Sequence, residues 1–218
     1  MAKTSVIIVG TGGMARHHMS VMVTMANTRI CGLVEVSEAQ RKLTRDLFES
    51  RGKKCPAFYD TISELLKAQG APDAAFINTP HKFHLENARD CLKAGMDVLL
   101  EKPMALSVEE CDRLIEAARR NDRVLTIGHE FRLSTQWGRV KTLVEEGAIG
   151  EPMYALVSLF RHPYRPGSGG WRFDGDKVGS WTLEEPVHFF DSLMWYFEDH
   201  GDPVSVLAAG SAKDRQQT

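Results

Sequence analysis

Residues 5–18, SVIIVGTGGMARHH, set Gly10, Gly12 and Ala15 in a Gly-x-Gly-x-x-Ala spacing where an apolar run gives way to a helix-like stretch. Those residue types at that spacing suit the binding of a dinucleotide pyrophosphate. Gly10 permits a tight strand-to-helix turn, Gly12 lets the backbone approach the phosphates, and the small Ala15 lets the helix pack closely on the strand. The helix N-terminus, at Gly13 and Met14, then offers free N–H groups to the anion. A second apolar run, Arg29 to Val34, ends on Glu35. A carboxylate about 20 residues beyond the glycines accepts hydrogen bonds from an adenosine ribose and repels a 2′-phosphate. The segment therefore predicts a nicotinamide dinucleotide cofactor, NAD in preference to NADP. Glycines alone would say little, because any tight turn favours them; the strand before and the helix after give the spacing its meaning.

Such a site needs a parallel sheet behind it, and the first half of the chain alternates strands and helices in the pattern that builds one. Strand-like runs are Ser5 to Val9, Arg29 to Val34, Ala57 to Tyr59, Ala74 to Asn78, Asp97 to Leu100 and Val124 to Ile127. Helix-like runs lie near Met14 to Ala26, Glu38 to Ser50, Ser63 to Ala68, Lys82 to Ala94 and Val108 to Arg120. Ser37 and Ser107 are expected N-caps, and Gly95 stands where a helix-terminating glycine belongs. This predicts a doubly wound α/β sheet whose ligands bind at the C-terminal strand ends. Gly10, Glu35, Asn78 to Pro80 and Glu101 to Pro103 all fall at such ends.

Beyond residue 128 the pattern changes. A helix-like stretch, Thr135 to Glu146, leads through a Gly-Glu-Pro turn into an alternating run, Met153 to Arg161. A loop rich in Gly, Pro, Arg and Trp follows, then a bulky apolar helix, Pro186 to Phe197, and a last strand-like run, Val204 to Ala209. We read a dinucleotide-binding domain over 1–128 and part of an α+β substrate and oligomerisation domain over 129–218. Two strands cannot satisfy their own edges, so the second sheet reads as incomplete.

Composition sets outer bounds. The chain has 218 residues, 43% hydrophobic and 26% charged, with a formal charge of −2. That balance is ordinary for a globular protein and gives no electrostatic case for nucleic acid or an anionic membrane. Cys31, Cys55, Cys91 and Cys111 form no CxxC pair and read as reduced thiols of a cytoplasmic protein. The first strand begins almost at the N-terminus, leaving no targeting segment in this sequence. No apolar run approaches the roughly 20 residues that span a bilayer.

GTGGMARHH at 10–18, TPHKFH at 79–84, Glu101-Lys102-Pro103, GHEFR at 128–132 and His188-x-x-Asp191 occur in one order. In that series the chain resembles the Gfo/Idh/MocA oxidoreductase family. The resemblance implies a Rossmann domain followed by a larger, open mixed sheet that carries a polyol or sugar-like substrate, in a homo-oligomer when full length. Known members are longer, so the chain resembles one cut before that sheet is complete. It also implies catalytic roles for Lys102 and His188, with Glu184 in support, and places Asn78, Pro80, His81, Glu101 and Lys102 itself beside the cofactor. Three positions depart from the family pattern. Glu184 and Pro186 replace the usual Asp and Gly before the histidine, and TPH replaces TPN, putting His81 where an Asn is usual. Because Pro186 disfavours helix in the residue before it, Glu184 is expected just outside the helix.

Oxidising a secondary alcohol requires a base for the hydroxyl proton and a donor for the developing oxyanion. His188, with an unperturbed pKa of about 6.5, is the expected base; Lys102 would hydrogen-bond the reacting oxygen, and either could take the proton. His188, Asp191 and Trp195 lie at helical spacing and share a face. Arg161, Trp171 and Arg172 belong to the richest polar and aromatic cluster, and with Asp191 they are candidate substrate residues for a polyol, sugar or sugar acid. A subunit contact would use the same residues. His81-x-x-His84 and His17-His18 lack a third ligand, so no metal is expected. Two other functions fit the same features: a glycosidase that uses bound NAD for transient oxidation, and a non-catalytic dinucleotide-binding sensor.

Overall fold

A computed structural model of the chain describes residues 3–160 and 165–210. Its first half alternates β1 (Thr4–Val9), α1 (Gly13–Met22), β2 (Thr28–Val34), α2 (Glu38–Ser50), β3 (Phe58–Tyr59), α3 (Ile62–Gln69), β4 (Ala74–Ile77), α4 (His84–Lys93), β5 (Asp97–Leu100), α5 (Val108–Arg120) and β6 (Leu125–Ile127). The strands form one parallel sheet in the order β3-β2-β1-β4-β5-β6. The order reverses between β1 and β4, which opens the crevice where doubly wound sheets hold ligands.

Alternation along β1 explains how both faces are covered. Ile7 and Val9 join Ile77, Leu92, Leu100 and Leu114 on one face, while Val6 and Ile8 join Met19, Leu33, Phe48 and Phe76 on the other. A strand buried on both faces reads as a continuous apolar run, as SVIIV does. Ser37 and Ser107 accept hydrogen bonds from the N–H groups of Gln40 and Glu110, capping α2 and α5. Gly95, just past α4, has φ +85°. Helix α1 ends four residues earlier than its apolar pattern predicts: Thr24 and Met25 donate to Val21 and Met22, i to i−3 bonds that tighten the chain toward β2.

The second half continues with a 3-10 turn at Glu130–Leu133, α6 (Thr135–Glu145), α7 (Gly175–Val178), α8 (Trp181–Glu184) and α9 (Val187–Tyr196). Pro186 separates α8 from α9, as its fixed φ and missing N–H dictate. Helix α9 docks on α6 through Tyr196, whose hydroxyl donates to the Trp137 carbonyl at 2.9 Å. Phe131 stacks on Trp137 at 5.1 Å and meets Phe189 edge-on.

The two strands expected in this half do not form. Among the described residues, 152–160 and 201–210 belong to no strand, and Phe160, Val204 and Leu207 are 94%, 100% and 98% exposed. Each segment has the alternating pattern of a strand, but no neighbouring strand pairs with it, and pairing is what turns such a pattern into a sheet. No second, mixed sheet is therefore present among the described residues. Residue 161, at the end of the first expected strand, lies outside them.

Candidate active site

Five strand ends set the site in one row. Gly10, Glu35, Asn78, Glu101 and Gly128 each follow the last residue of a strand. Each donates its backbone N–H to the neighbouring strand, at Val34 (2.8 Å), Tyr59 (3.0 Å), Val9 (2.7 Å), Ile77 (3.0 Å) and Leu100 (2.7 Å) respectively. The sheet thus fixes their backbones before any side chain is considered.

The glycine turn fits a dinucleotide. Gly10 has φ +81°, and a Cβ there would come 2.9 Å from the Asn78 carbonyl oxygen and 3.0 Å from the Thr79 nitrogen. No side chain caps the first turn of α1, and the space beside Gly13 is open. The N–H groups at Gly13 and Met14 are thus available to an anion. Glu35 accepts from the Thr11 N–H (2.8 Å), the Thr11 hydroxyl (3.0 Å) and the Ser37 N–H (2.8 Å). The buried Oδ1 of Asn78 has no partner among the described residues. A buried acceptor left unpaired is destabilising, and a donor on a bound ligand would complete it.

His84 sits between the Thr79-Pro80 and Lys102-Pro103 turns, and its neutral ring, with one N–H, donates to one of their two carbonyls. Its Nδ1 lies 2.8 Å from the Pro103 carbonyl and its Nε2 2.9 Å from the Thr79 carbonyl. Burial, with His81 beside it, pushes the His84 imidazole down to about 4. Pro80 opens the 3-10 turn at His81–Phe83. His81 is buried with both ring nitrogens engaged: Nδ1 is 2.9 Å from the Val178 carbonyl and Nε2 is 3.0 Å from Glu184. So placed, His81 braces the wall of the site at the strand ends, where the resemblance set it beside the cofactor.

Charge converges on Glu184, which is 2% exposed. The Ser180 side chain accepts from Leu183 N–H and caps α8, whose last residue is Glu184. Arg172 Nε lies 2.6 Å from Oε1, and Lys102 Nζ lies 3.7 Å from Oε2 while donating to the Glu184 backbone carbonyl. Burial alone would raise this carboxyl. Contact with His81 and the charges of Lys102 and Arg172 outweigh it and hold Glu184 below its ordinary value.

His188 occupies the first turn of α9, stacked on Phe131 at 4.7 Å, with its Nδ1 buried and unpartnered among the described residues. Burial, then the charge of Lys102, pushes it down to about 4. The expectation of an unperturbed imidazole poised near neutrality is therefore corrected, since the ring stays neutral well into the acid range. Asp191 is not a free carboxylate either. Arg132 grips both its oxygens at 2.7 and 2.8 Å, and His129 stands 3.7 Å away. Glu101 pairs with His18 at 3.1 Å. Trp171 packs edge-on against His81 and lies beneath the Arg172 guanidinium, 5.2 Å from its ring centre. Arg161 falls outside the described residues.

Sequence reasoning assigned no role to Thr11, Arg132 or His129, and weighed His18 only as a metal ligand. Only the GHEFR motif pointed toward the middle two; nothing in the local sequence signals a partner 59 or 83 residues away.

Comparison with known proteins adds the following. The family described as "Oxidoreductase family, NAD-binding Rossmann fold" (GFO_IDH_MocA) matches residues 4–129, and "GFO/IDH/MocA C-terminal domain" matches residues 137–218. A 1,5-anhydro-D-fructose reductase from Ensifer adhaerens is 32% identical over 162 residues, covering 71% of this chain and 47% of the relative. A D-xylose 1-dehydrogenase [NADP(+)] from Haloarcula marismortui is 31% identical over 141 residues, 64% of this chain and 39% of the relative. The chain thus spans less than half the length of these relatives. A crystal structure of an aldose-aldose oxidoreductase from Caulobacter crescentus superposes with a TM-score of 0.72 at 22% identity, over 90% of this chain and 58% of the other, and shares the fold.

Proposed function

Because this chain belongs to the Gfo/Idh/MocA oxidoreductase family, we propose that it is an NAD(P)-dependent dehydrogenase. It would act on a secondary alcohol of a sugar, sugar acid or cyclitol, with NAD preferred. Residues 1–128 would take the cofactor and residues 129–218 the substrate. One observation carries the reading: Lys102, just past β5, donates to the backbone carbonyl of the buried Glu184 and lies 3.7 Å from its carboxylate, and the Lys102 charge also acts on the buried His188 imidazole on α9. Gly10, Gly12, Gly13, Met14, Glu35, Asn78 and Glu101 would hold the cofactor, which when bound supplies the hydride acceptor or donor.

The chain's own residues manage the proton. The Lys102 ammonium, steered by the Glu184 carbonyl and carboxylate, donates to the substrate oxygen as negative charge develops there. His188, neutral at physiological pH, takes the hydroxyl proton, and the carboxylates of Glu184 and Glu101 stabilise the imidazolium that results. Reduction runs through the same groups in reverse. Trp171 and Arg172 offer an aromatic face and hydrogen-bond donors suited to a polyol. The glycosidase and sensor readings draw no support from the relatives named above. Association of the full-length protein into a homo-oligomer belongs to the same proposal.

The test is a panel of sugars, sugar acids and cyclitols assayed for NADH formation. With the substrate found, Lys102→Ala is expected to lower turnover by roughly 10²- to 10⁴-fold while NADH affinity stays within a few-fold. Unchanged turnover would remove Lys102 from the mechanism.

A further inference from the structure

Thr11, the residue between the first two glycines, is fully buried although it carries a hydroxyl. It makes three polar contacts. Its N–H and its hydroxyl both donate to Oε2 of Glu35, at 2.8 and 3.0 Å. Its carbonyl accepts from Arg16 Nη1 at 2.7 Å, and the same nitrogen donates to Gln40 Oε1 at 2.6 Å. On the other side of the carboxylate, Ser37 N–H donates to Oε1 at 2.8 Å. An ionised carboxylate has about four acceptor positions, and three of those on Glu35 are filled from within the chain. The one left is on Oε1.

We infer that Thr11 is a specificity-determining residue: its hydroxyl completes a three-point lock on the Glu35 carboxylate, so that the site admits a ribose hydroxyl and turns away a 2′-phosphate. This rests on the reading of Glu35 as the ribose acceptor. A carboxylate free to rotate could swing aside for a phosphate, and the Arg16 guanidinium behind it would then serve as the cationic partner. Held from both oxygens, it cannot rotate without breaking charge-assisted hydrogen bonds. Two of the three donors are backbone N–H groups that no substitution removes. The Thr11 hydroxyl is the element of the lock that sequence controls. The buried setting suits the test, because valine has nearly the shape of threonine and deletes only the donor.

The experiment titrates the 218-residue chain and its variants with NADH and NADPH, following cofactor fluorescence, and compares the ratio of the two Kd values. Thr11→Val is expected to lower the preference for NADH about ten-fold, chiefly by tightening NADPH, because one hydrogen bond to a charged group is lost. Thr11→Ser, which keeps the hydroxyl, should hold the wild-type ratio within about two-fold. Glu35→Gln should lower the preference at least as far as Thr11→Val. If Glu35→Gln lowers the ratio and Thr11→Val leaves it at the wild-type value, the inference about Thr11 is overturned while the reading of Glu35 stands. If Glu35→Gln also leaves it unchanged, or the wild type binds neither nucleotide, both are overturned. Should Thr11→Val not fold, Thr11→Ala carries the same expectation with the same reversing result.

Discussion

A carboxylate as buried as Glu184 stays ionised only because His81, Lys102 and Arg172 face it. Glu184→Gln keeps the shape and removes the charge, leaving cations in a poorly solvated pocket. We expect it to lower unfolding stability by roughly 3 kcal/mol in a urea titration and to reduce turnover as Lys102 loses its anchor; a variant as stable and active as the wild type would contradict this. The histidines set a second prediction. Folding holds His84 and His188 at about 4 against an ordinary 6.5, so between those values the unfolded chain binds more protons. Stability is therefore full above pH 6.5 and is lost as pH falls toward 4, by up to on the order of 3 kcal/mol for each ring. Thermal unfolding measured across that window checks the sign, and His188→Gln should flatten part of the slope. For the same reason the acid limb of kcat/KM attributable to His188 should lie near 4 and not near 6.5. The resemblance carried by the Glu101-Lys102-Pro103 and His188-x-x-Asp191 motifs pointed to Lys102, Glu184 and His188 in the sequence. Their partners were not legible there, because Lys102 and Glu184 stand 82 positions apart and only the fold brings them together.

At the scale of elements, the strand-turn-helix at β1 and α1 carries the most information per residue. Gly10 answers two demands at once, a positive φ and the close approach of the β4 end. Gly10→Ala should therefore destabilise the protein by about 1–3 kcal/mol and weaken NADH binding. Calorimetry and a nucleotide titration on the same sample check both effects, and a variant with wild-type melting and affinity would show that the turn is not so constrained. The six strands of the sheet and their helices were legible because apolar periodicity and serine caps are local signals. The alternating runs at 153–160 and 204–209 misled for a related reason. Period two marks a chain suited to a sheet, whereas a strand exists only where a neighbour supplies the ladder. The α8–α9 break falls at Pro186, which lacks the N–H of a continuing helix, but Glu185 before it keeps helical angles (φ −116°, ψ −55°), against the extended conformation expected there.

Across the whole molecule, a well-covered sheet carries the cofactor edge, and a helical second half brings Arg172, Glu184 and His188 back over it. The two are joined by a few ion pairs and a histidine brace, so the proposed catalytic groups depend on docking while the glycine turn and Glu35 depend on the sheet alone. Nucleotide binding should accordingly be the more robust property of this chain, which spans less than half the length of the reductase and the dehydrogenase compared above. The most direct measurement is a fluorescence titration of the 218-residue chain with NADH and NADPH, repeated with sugar, sugar-acid and cyclitol candidates at saturation. The account predicts that NADH binds more tightly than NADPH and that one candidate class strengthens it, because coupling between two ligands of one site is reciprocal. A folded chain that bound neither nucleotide would contradict it.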